Sequence, residues 1–447
     1  MKLTVTEKVG YGLGDTASNF VWALMMNFIL FYYTDIFGIT AAAAGTMLLF
    51  ARSTDGIADF LIGAMADRTK TRWGRFRPYL VWMCLPLGIA FVLTFTTPNF
   101  SMQGKLVYAW ITYNVLMLSY SLINIPYGAL SGVMTDDPLE RTSLNSYRMA
   151  FAQGGGIVAN TSFLWLVKKF GNGDQAAGAQ WTVVVFSAIA IVLFLAAFFT
   201  TTERIHPPVD QKTRLRDDVK SLFSNRHWVV MFLAGITNIT FAVVQGSGTI
   251  YYLKGYLNWG EELIAAFFLI GGVAMIIGAT LTRFAVKALG KKRAFIISMV
   301  LVALTAIPFY WIPPGQTSLV FTFRVLGMLF AGINATLFWA LVADTADFSE
   351  WKFNVRTTGI IFSATTCAQK VGMGVGAALA GSLLTQFGYV ANAVQTSQAS
   401  RGILLLVSIV PAVGYLLVAA LFSVYGLTEP ICKTIREDLA DRRAKRV

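Results

Sequence analysis

Twelve stretches of mostly apolar residues partition this chain, near 11–34, 40–65, 79–98, 105–133, 147–168, 180–201, 228–252, 262–288, 294–312, 317–343, 358–386 and 403–427. Each is close to the ~20 residues that a helix needs to cross the hydrocarbon core of a bilayer. In that medium no water bonds the backbone, so every N–H and C=O must be satisfied inside the helix itself. The expectation is an all-α membrane protein, one bundle of twelve spans. Charge content agrees: 13% of the 447 residues are Asp, Glu, Lys or Arg, against roughly 25% in soluble proteins. A soluble multi-domain fold is excluded.

Connections are short except for 202–226, a polar, charged segment with six spans on either side. This predicts an N-terminal half (1–201), a linker (202–226), a C-terminal half (227–427) and a tail (428–447). With both termini in the cytoplasm, and residues at span ends counted with the adjoining loop, 27 of the 36 Lys and Arg residues fall on that side, five on the other, and four (Arg52, Arg283, Arg324, Lys370) well inside spans. Lysine and arginine concentrate in cytoplasmic loops, so the split predicts cytoplasmic termini and an even number of spans. It also explains the net charge of +13 without a nucleic-acid partner. The first eight residues are polar and the first apolar stretch is a full span, so no cleavable signal peptide is expected. The halves echo each other weakly. Ala129-Leu130 precedes Asp136 by the spacing at which Ala340-Leu341 precedes Asp347. Paired six-span repeats suggest a transporter with its solute site near the midplane.

Charges inside spans are costly and functional by default. Asp55 and Asp59 in the second span lie four residues apart, on one helix face. Two carboxylates in a low-dielectric site repel, and a proton or a metal ion relieves the repulsion. Arg52, three residues earlier, reaches the same face; a structural ion pair between Arg52 and Asp55 is the plain alternative. Lys370 is a lone ammonium in the eleventh span, placed to pair with those carboxylates or to snorkel to an interface. The first span carries Tyr11, Asp15, Ser18, Asn19 and Trp22 on one broad face, and the fourth carries Tyr120, Asn124 and Tyr127. Amides bond hydroxyls in both directions and aromatic faces cover C–H surfaces, a combination suited to a sugar. Hydrogen bonds between helices also explain Asn19 and Asn124. The loop 63–78 is the most basic short connection; there Asp67 can pair with arginines such as Arg68 and Arg75 to latch a cytoplasmic gate, or the basic residues can meet lipid. Cys84, Cys367 and Cys432 have neither disulfide nor metal spacing, and His206 and His227 fall at or near loops.

Several segments together carry a family resemblance: Tyr11-Gly-Leu-Gly-Asp15, Phe31-Tyr-Tyr-Thr-Asp35, Asp55-Gly-Ile-Ala-Asp59, Arg72-Trp-Gly-Arg-Phe-Arg-Pro78, Asn124-Ile-Pro-Tyr127, Ala343-Asp-Thr-Ala-Asp347 and Glu350-Trp351. They resemble the glycoside–pentoside–hexuronide:cation symporters, which include the melibiose permease, and they run from the first span to the last. The resemblance implies a twelve-helix major facilitator fold, cation-coupled sugar uptake and a bacterial inner-membrane location. It places the cation site at Asp55 and Asp59 with Arg52 and Lys370 beside it. The sugar falls among Asn19, Tyr120, Asn124, Arg148 and Trp339, with Asp15, Trp22 and Tyr127 close by. Gating falls to Asp67, Arg68 and Arg75 in the first half and Asp344, Asp347 and Arg356 in the second.

This chain departs from the melibiose permease at three points. Asn19 and Asn124 stand where that protein has sugar-binding aspartates, which makes room for an anionic sugar neutralised by Arg148 or Lys370. Ala58 stands where it has an asparagine tied to sodium. Losing an oxygen ligand weakens a shell for a hard cation and favours H⁺ over Na⁺, although Na⁺ at Asp55 and Asp59 stays open. Gly128 replaces a tryptophan. The expectation is a symporter for a sugar glycoside or hexuronide-type acidic sugar, acting as a monomer with no cofactor beyond its coupling ion and no enzymatic activity. A neutral pentoside or oligosaccharide symporter is the alternative, and a lipid carrier or a sugar sensor without transport follows behind.

Overall fold

The computed structural model describes residues 2–135, 137–205, 224–353 and 358–444. These are helical almost throughout, and twelve long segments match the twelve apolar stretches. In chain order they are α1 (Val5–Asn27), α2 (Ala41–Arg68), α3 (Arg77–Thr94), α4 (Met102–Met134), α5 (Pro138–Gly171), α6 (Gln175–Thr200), α7 (Arg226–Ile250), α8 (Glu261–Leu289), α9 (Lys291–Ala306), α10 (Thr317–Phe353), α11 (Thr358–Gln386) and α12 (Ser397–Val407, resumed at Ile409–Ser423). A shorter helix, α13 (Glu429–Ala444), follows. Nine of the twelve are apolar and long enough to cross a membrane by composition alone, and α1, α2 and α5 are the three that are not. Those three carry Asp15, Arg52, Asp55, Asp59 and Arg148.

Local chemistry sets the ends. Thr4 and Glu7 form a capping box at the start of α1, each side chain satisfying an otherwise orphaned amide of the first turn. Asp137 caps α5 and Pro138 occupies its first position, where a missing N–H costs nothing. The tenth helix runs beyond its expected end at 343, through Asp344 and Asp347 to Phe353. Buried Phe348 and the packing of α13 hold that extension: Trp351 Nε1 donates to Asp438 at 2.9 Å, and Arg442 donates to the Trp351 carbonyl at 3.0 Å. Asp136, the first-half counterpart of Asp347, lies outside the described residues.

A clearer repeat emerges where α1 and α7 end. The first leads through a short helix at Ile29–Phe31, and the second directly, into a π-helical turn that opens on a buried tyrosine pair, Tyr32-Tyr33 in Tyr32–Ile36 and Tyr251-Tyr252 in Tyr251–Tyr256. Such turns are rare and gather at functional sites.

The described residues form two compact units. The first gathers 2–205 with 253–269 and 377–399; the second gathers 224–252, 270–376 and 400–444. In the first, α1 lies against α5 and α6, α3 against α4 and α6, and α2 against α4. Glycines permit the approach of α1 to its neighbours. A Cβ at Gly14 would stand 2.6 Å from the Tyr127 ring, and one at Gly155 would stand 2.8 Å from the Thr16 carbonyl. In the second unit α9 packs on α10 and α12, and α12 on α7, around a core that includes Trp228, Phe295, Phe338, Leu341, Phe422 and Tyr425.

Candidate functional site

The first unit brings most of the expected site residues into one polar line. Asp55 is buried on α2, and its Oδ1 accepts a 2.7 Å hydrogen bond from the Ser121 hydroxyl of α4. Asp59 follows one turn later, partly buried. Arg52 is buried too, its guanidinium 5.6 Å from the Trp22 ring and 5.9 Å from the Tyr113 ring. Aromatic faces attract such a cation, so α1, α2 and α4 meet around one charge. Trp22 stacks on Tyr120 with ring centroids 6.0 Å apart.

From Tyr120 the line continues through the amides. Asn124 Nδ2 donates to the Tyr120 carbonyl at 3.1 Å, and Asn124 Oδ1 accepts from Ser18 at 2.9 Å. Asn19 Nδ2 donates to the Asp15 carbonyl at 2.9 Å. Asp15 accepts from Arg148 Nε of α5, and the guanidinium lies 5.5 Å from the Tyr127 ring. Tyr127 and Tyr11 close the line: their rings stack at 4.6 Å, and each hydroxyl donates to the other's backbone carbonyl. Arg148, expected as the counter-charge for an acidic sugar, thus already holds a carboxylate of its own chain. Among the described residues, no group of three or more His, Cys, Asp or Glu side chains converges on a point.

The second unit positions the remaining candidates. Trp339 on α10 stacks on Phe362 of α11 at 5.9 Å and keeps 37% of its surface exposed. Lys370 on α11 is buried. Asp344 receives Lys291 Nζ on both carboxylate oxygens at 2.8 Å, a pairing inside its own unit. Asp347 is partly buried one turn further on, and Arg68 ends α2 exposed. The Asp67 side chain and Arg356 lie outside what the structure describes.

The basic loop is organised by a residue that sequence reasoning missed. Glu203, at the start of the linker, accepts three backbone amides: Arg75 at 2.8 Å, Phe76 at 2.7 Å and Arg77 at 2.9 Å. Gly74 makes the cradle, with φ +109° and a Cβ position only 2.4 Å from the carboxylate. Arg77 reaches back to the Phe198 carbonyl at 2.8 Å. Asp35 was also missed. Its Oδ1 accepts from the Tyr389 hydroxyl and its carbonyl from Asn392, both at 2.7 Å. Ser121 and Tyr113 complete the set. Ser121 lies three residues from Asn124 on α4, which was the available signal; Asp35 stands in a family motif, but its partners, like those of Glu203, lie far away in the chain.

This geometry can hold a cation at paired carboxylates and a polyhydroxylated solute along amides and aromatic faces. Comparison with known proteins narrows it. A family described as MFS/sugar transport protein matches residues 10–429. The chain belongs to that family. It is therefore a membrane transporter of the twelve-helix major facilitator fold, not an enzyme, and the motifs that resembled the glycoside–pentoside–hexuronide:cation symporters mark true relatives. The chain is 38% identical to the inner membrane symporter YicJ of Escherichia coli (strain K12), covering 99% of this chain and 96% of that one. It is 32% identical to the isoprimeverose transporter of Lactiplantibacillus pentosus, covering 95% and 90%. The crystal structure of a D-xylose–proton symporter superposes with a TM-score of 0.71 at 13% identity, covering 94% of this chain and 98% of that one, a likeness of fold alone.

Proposed function

We propose that this protein is a cation-coupled symporter that imports a sugar glycoside across the bacterial inner membrane by alternating access. One observation carries the reading. A buried carboxylate, Asp55, lies at one end of a polar line whose other members, Trp22, Tyr120, Asn124, Asn19 and Arg148, suit a sugar. The names of the relatives, a symporter and an isoprimeverose transporter, support it.

In this reading the cation binds first at Asp55 and Asp59, from the outer side. A proton is favoured over Na⁺ because Ala58, between the two acids, supplies no oxygen ligand. The Ser121 hydroxyl, already on Asp55, orients the carboxylate that takes the proton. The sugar then docks along the amides, with Trp22 and Tyr120 as ring platforms. Neutralising the acidic pair removes the cost of an unbalanced charge in a low-dielectric site, so filling both sites favours occlusion and rocking of the two six-helix halves. A membrane potential contributes about 2.3 kcal/mol per charge per 100 mV, enough for accumulation of several tens-fold. Both termini face the cytoplasm in this reading, which the distribution of Lys and Arg supports.

The test is accumulation in membrane vesicles by Asp55→Cys and Asp59→Cys. Each variant is expected to bind sugar and to exchange it across the membrane while losing accumulation against a gradient. Uphill accumulation by both variants would sink the coupling assignment.

A further inference from the structure

We infer that Asp15 sets the charge class of the substrate: by holding Arg148 it makes the sugar end of the site electrically balanced and selects neutral glycosides over acidic sugars. This deepens the sugar-symport reading above and rests on it. The amides at 19 and 124 remove two negative charges relative to an aspartate-lined site, and taken alone they favour an anionic sugar. The geometry reverses that conclusion. Arg148 arrives from α5 with its Nε on the carboxylate of Asp15. The acid is the more buried partner, its side chain 9% exposed against 28% for the arginine, so the guanidinium is the member of the pair more open to a ligand.

Asp15 is held where it is. Its helix is pinned to α4 by the reciprocal Tyr11–Tyr127 bonds and to α5 by the Thr16 hydroxyl, which donates to the Phe151 carbonyl at 3.0 Å. Gly12 and Gly14 beside it leave no gap: a Cβ at either would stand 2.6 Å from the Phe151 or the Tyr127 ring. The backbone that carries Asp15 is therefore fixed against α4 and α5. An acidic sugar reaching Arg148 would bring a second carboxylate against Asp15, two anions sharing one cation in a poorly hydrated site, which is strongly disfavoured. A neutral sugar meets no such repulsion. Its hydroxyls accept from the outer guanidinium edge, and Nε stays with Asp15. Asp15 is in this sense a positioning residue: it acts on the sugar through the arginine.

The experiment compares counterflow competition in proteoliposomes by a series of neutral nitrophenyl glycosides and the matching nitrophenyl uronides. The wild type is expected to prefer the neutral series at least tenfold. Asp15→Asn, which leaves Arg148 as an unbalanced cation, should shift the neutral-to-acidic ratio at least tenfold toward the uronides. Arg148→Gln should shift it the other way, and the double variant Asp15→Asn/Arg148→Gln should return it to near the wild-type value. A purely structural role would lower transport of both series and leave the ratio unmoved. A wild type that takes uronides as well as neutral glycosides overturns the inference, as does a ratio that Asp15→Asn changes less than twofold. A wild type that transports neither series overturns the sugar reading itself, and this inference with it.

Discussion

Replacing Glu203 by Gln isolates one carboxylate that organises the loop between α2 and α3. Oε1 accepts from the amides of Phe76 and Arg77, and Oε2 from the amide of Arg75. Glutamine keeps one acceptor oxygen, so two of the three bonds can persist without the charge. At the third position it sets an NH₂ group against an N–H, donor against donor. A hydrogen bond to a charged group contributes about 1.5–3 kcal/mol, and a negative charge at a helix N-terminus about 0.3–1 kcal/mol. Glu203 is only half-buried, so the lower part of that range applies, and a loss of about 2 kcal/mol is expected. For a unit of this size that is a fall in Tm of about 4–8 °C. Glu203→Ala should cost more, since all three amides lose their acceptor. Cys84, buried on α3 itself, supplies the assay: its reaction with a maleimide dye during a thermal ramp reports opening of the helix that Glu203 caps. Gly74→Ala provides the cross-check. Alone it is strained by its positive φ and by contact with the carboxylate; in a Glu203→Ala background the contact is gone, so the two costs should sum to more than the double variant shows. A Glu203→Gln protein that melts within about 1 °C of the wild type, with Cys84 labelling unchanged, would refute the reasoning.

Two further outcomes follow from packing and charge. Gly278 and Gly332 form a reciprocal seam between α8 and α10, where a Cβ on the first would stand 1.9 Å from the Leu329 carbonyl and one on the second 2.1 Å from the Met275 carbonyl. Gly332→Val forces these backbones apart at a cost of about 1–3 kcal/mol or more, so its melting point should fall by several degrees, and a wild-type melting curve would show that the seam is not close-packed. At the start of α1, burial alone would raise the Glu7 carboxyl, but the Thr4 amide and Arg204 outweigh it and hold the group below its ordinary 4.5. A lowered carboxylate stabilises the fold above its unfolded value, and that contribution disappears as pH falls through the folded value. Melting of the wild type should therefore drop below about pH 4.5, Glu7→Gln should melt lower at neutral pH with a flatter acid limb, and identical acid limbs would count against the pairing.

Much of this protein is legible in its sequence because a membrane imposes simple rules. Span length and apolarity mark the twelve helices, and the helices that fail the apolar criterion, α1, α2 and α5, are those that carry Asp15, Asn19, Arg52, Asp55, Asp59 and Arg148. Spacing along one helix placed Asp55 and Asp59 on a common face, and the facing amides of α1 and α4 were found by their residue types. Only tertiary structure decided which charge meets which. Asp15 and Arg148 are 133 residues apart, and both read from sequence as sugar ligands. They become partners because Gly14 and Gly155 let α1 approach α4 and α5 until backbone and ring touch. Glu203 likewise reads as one more charge in a polar linker until it is seen against three amides whose donors no helix satisfies. Periodicity fixes the face on which a residue lies; the rotation and depth of neighbouring helices, set by side-chain volume at their contacts, determine what that face meets.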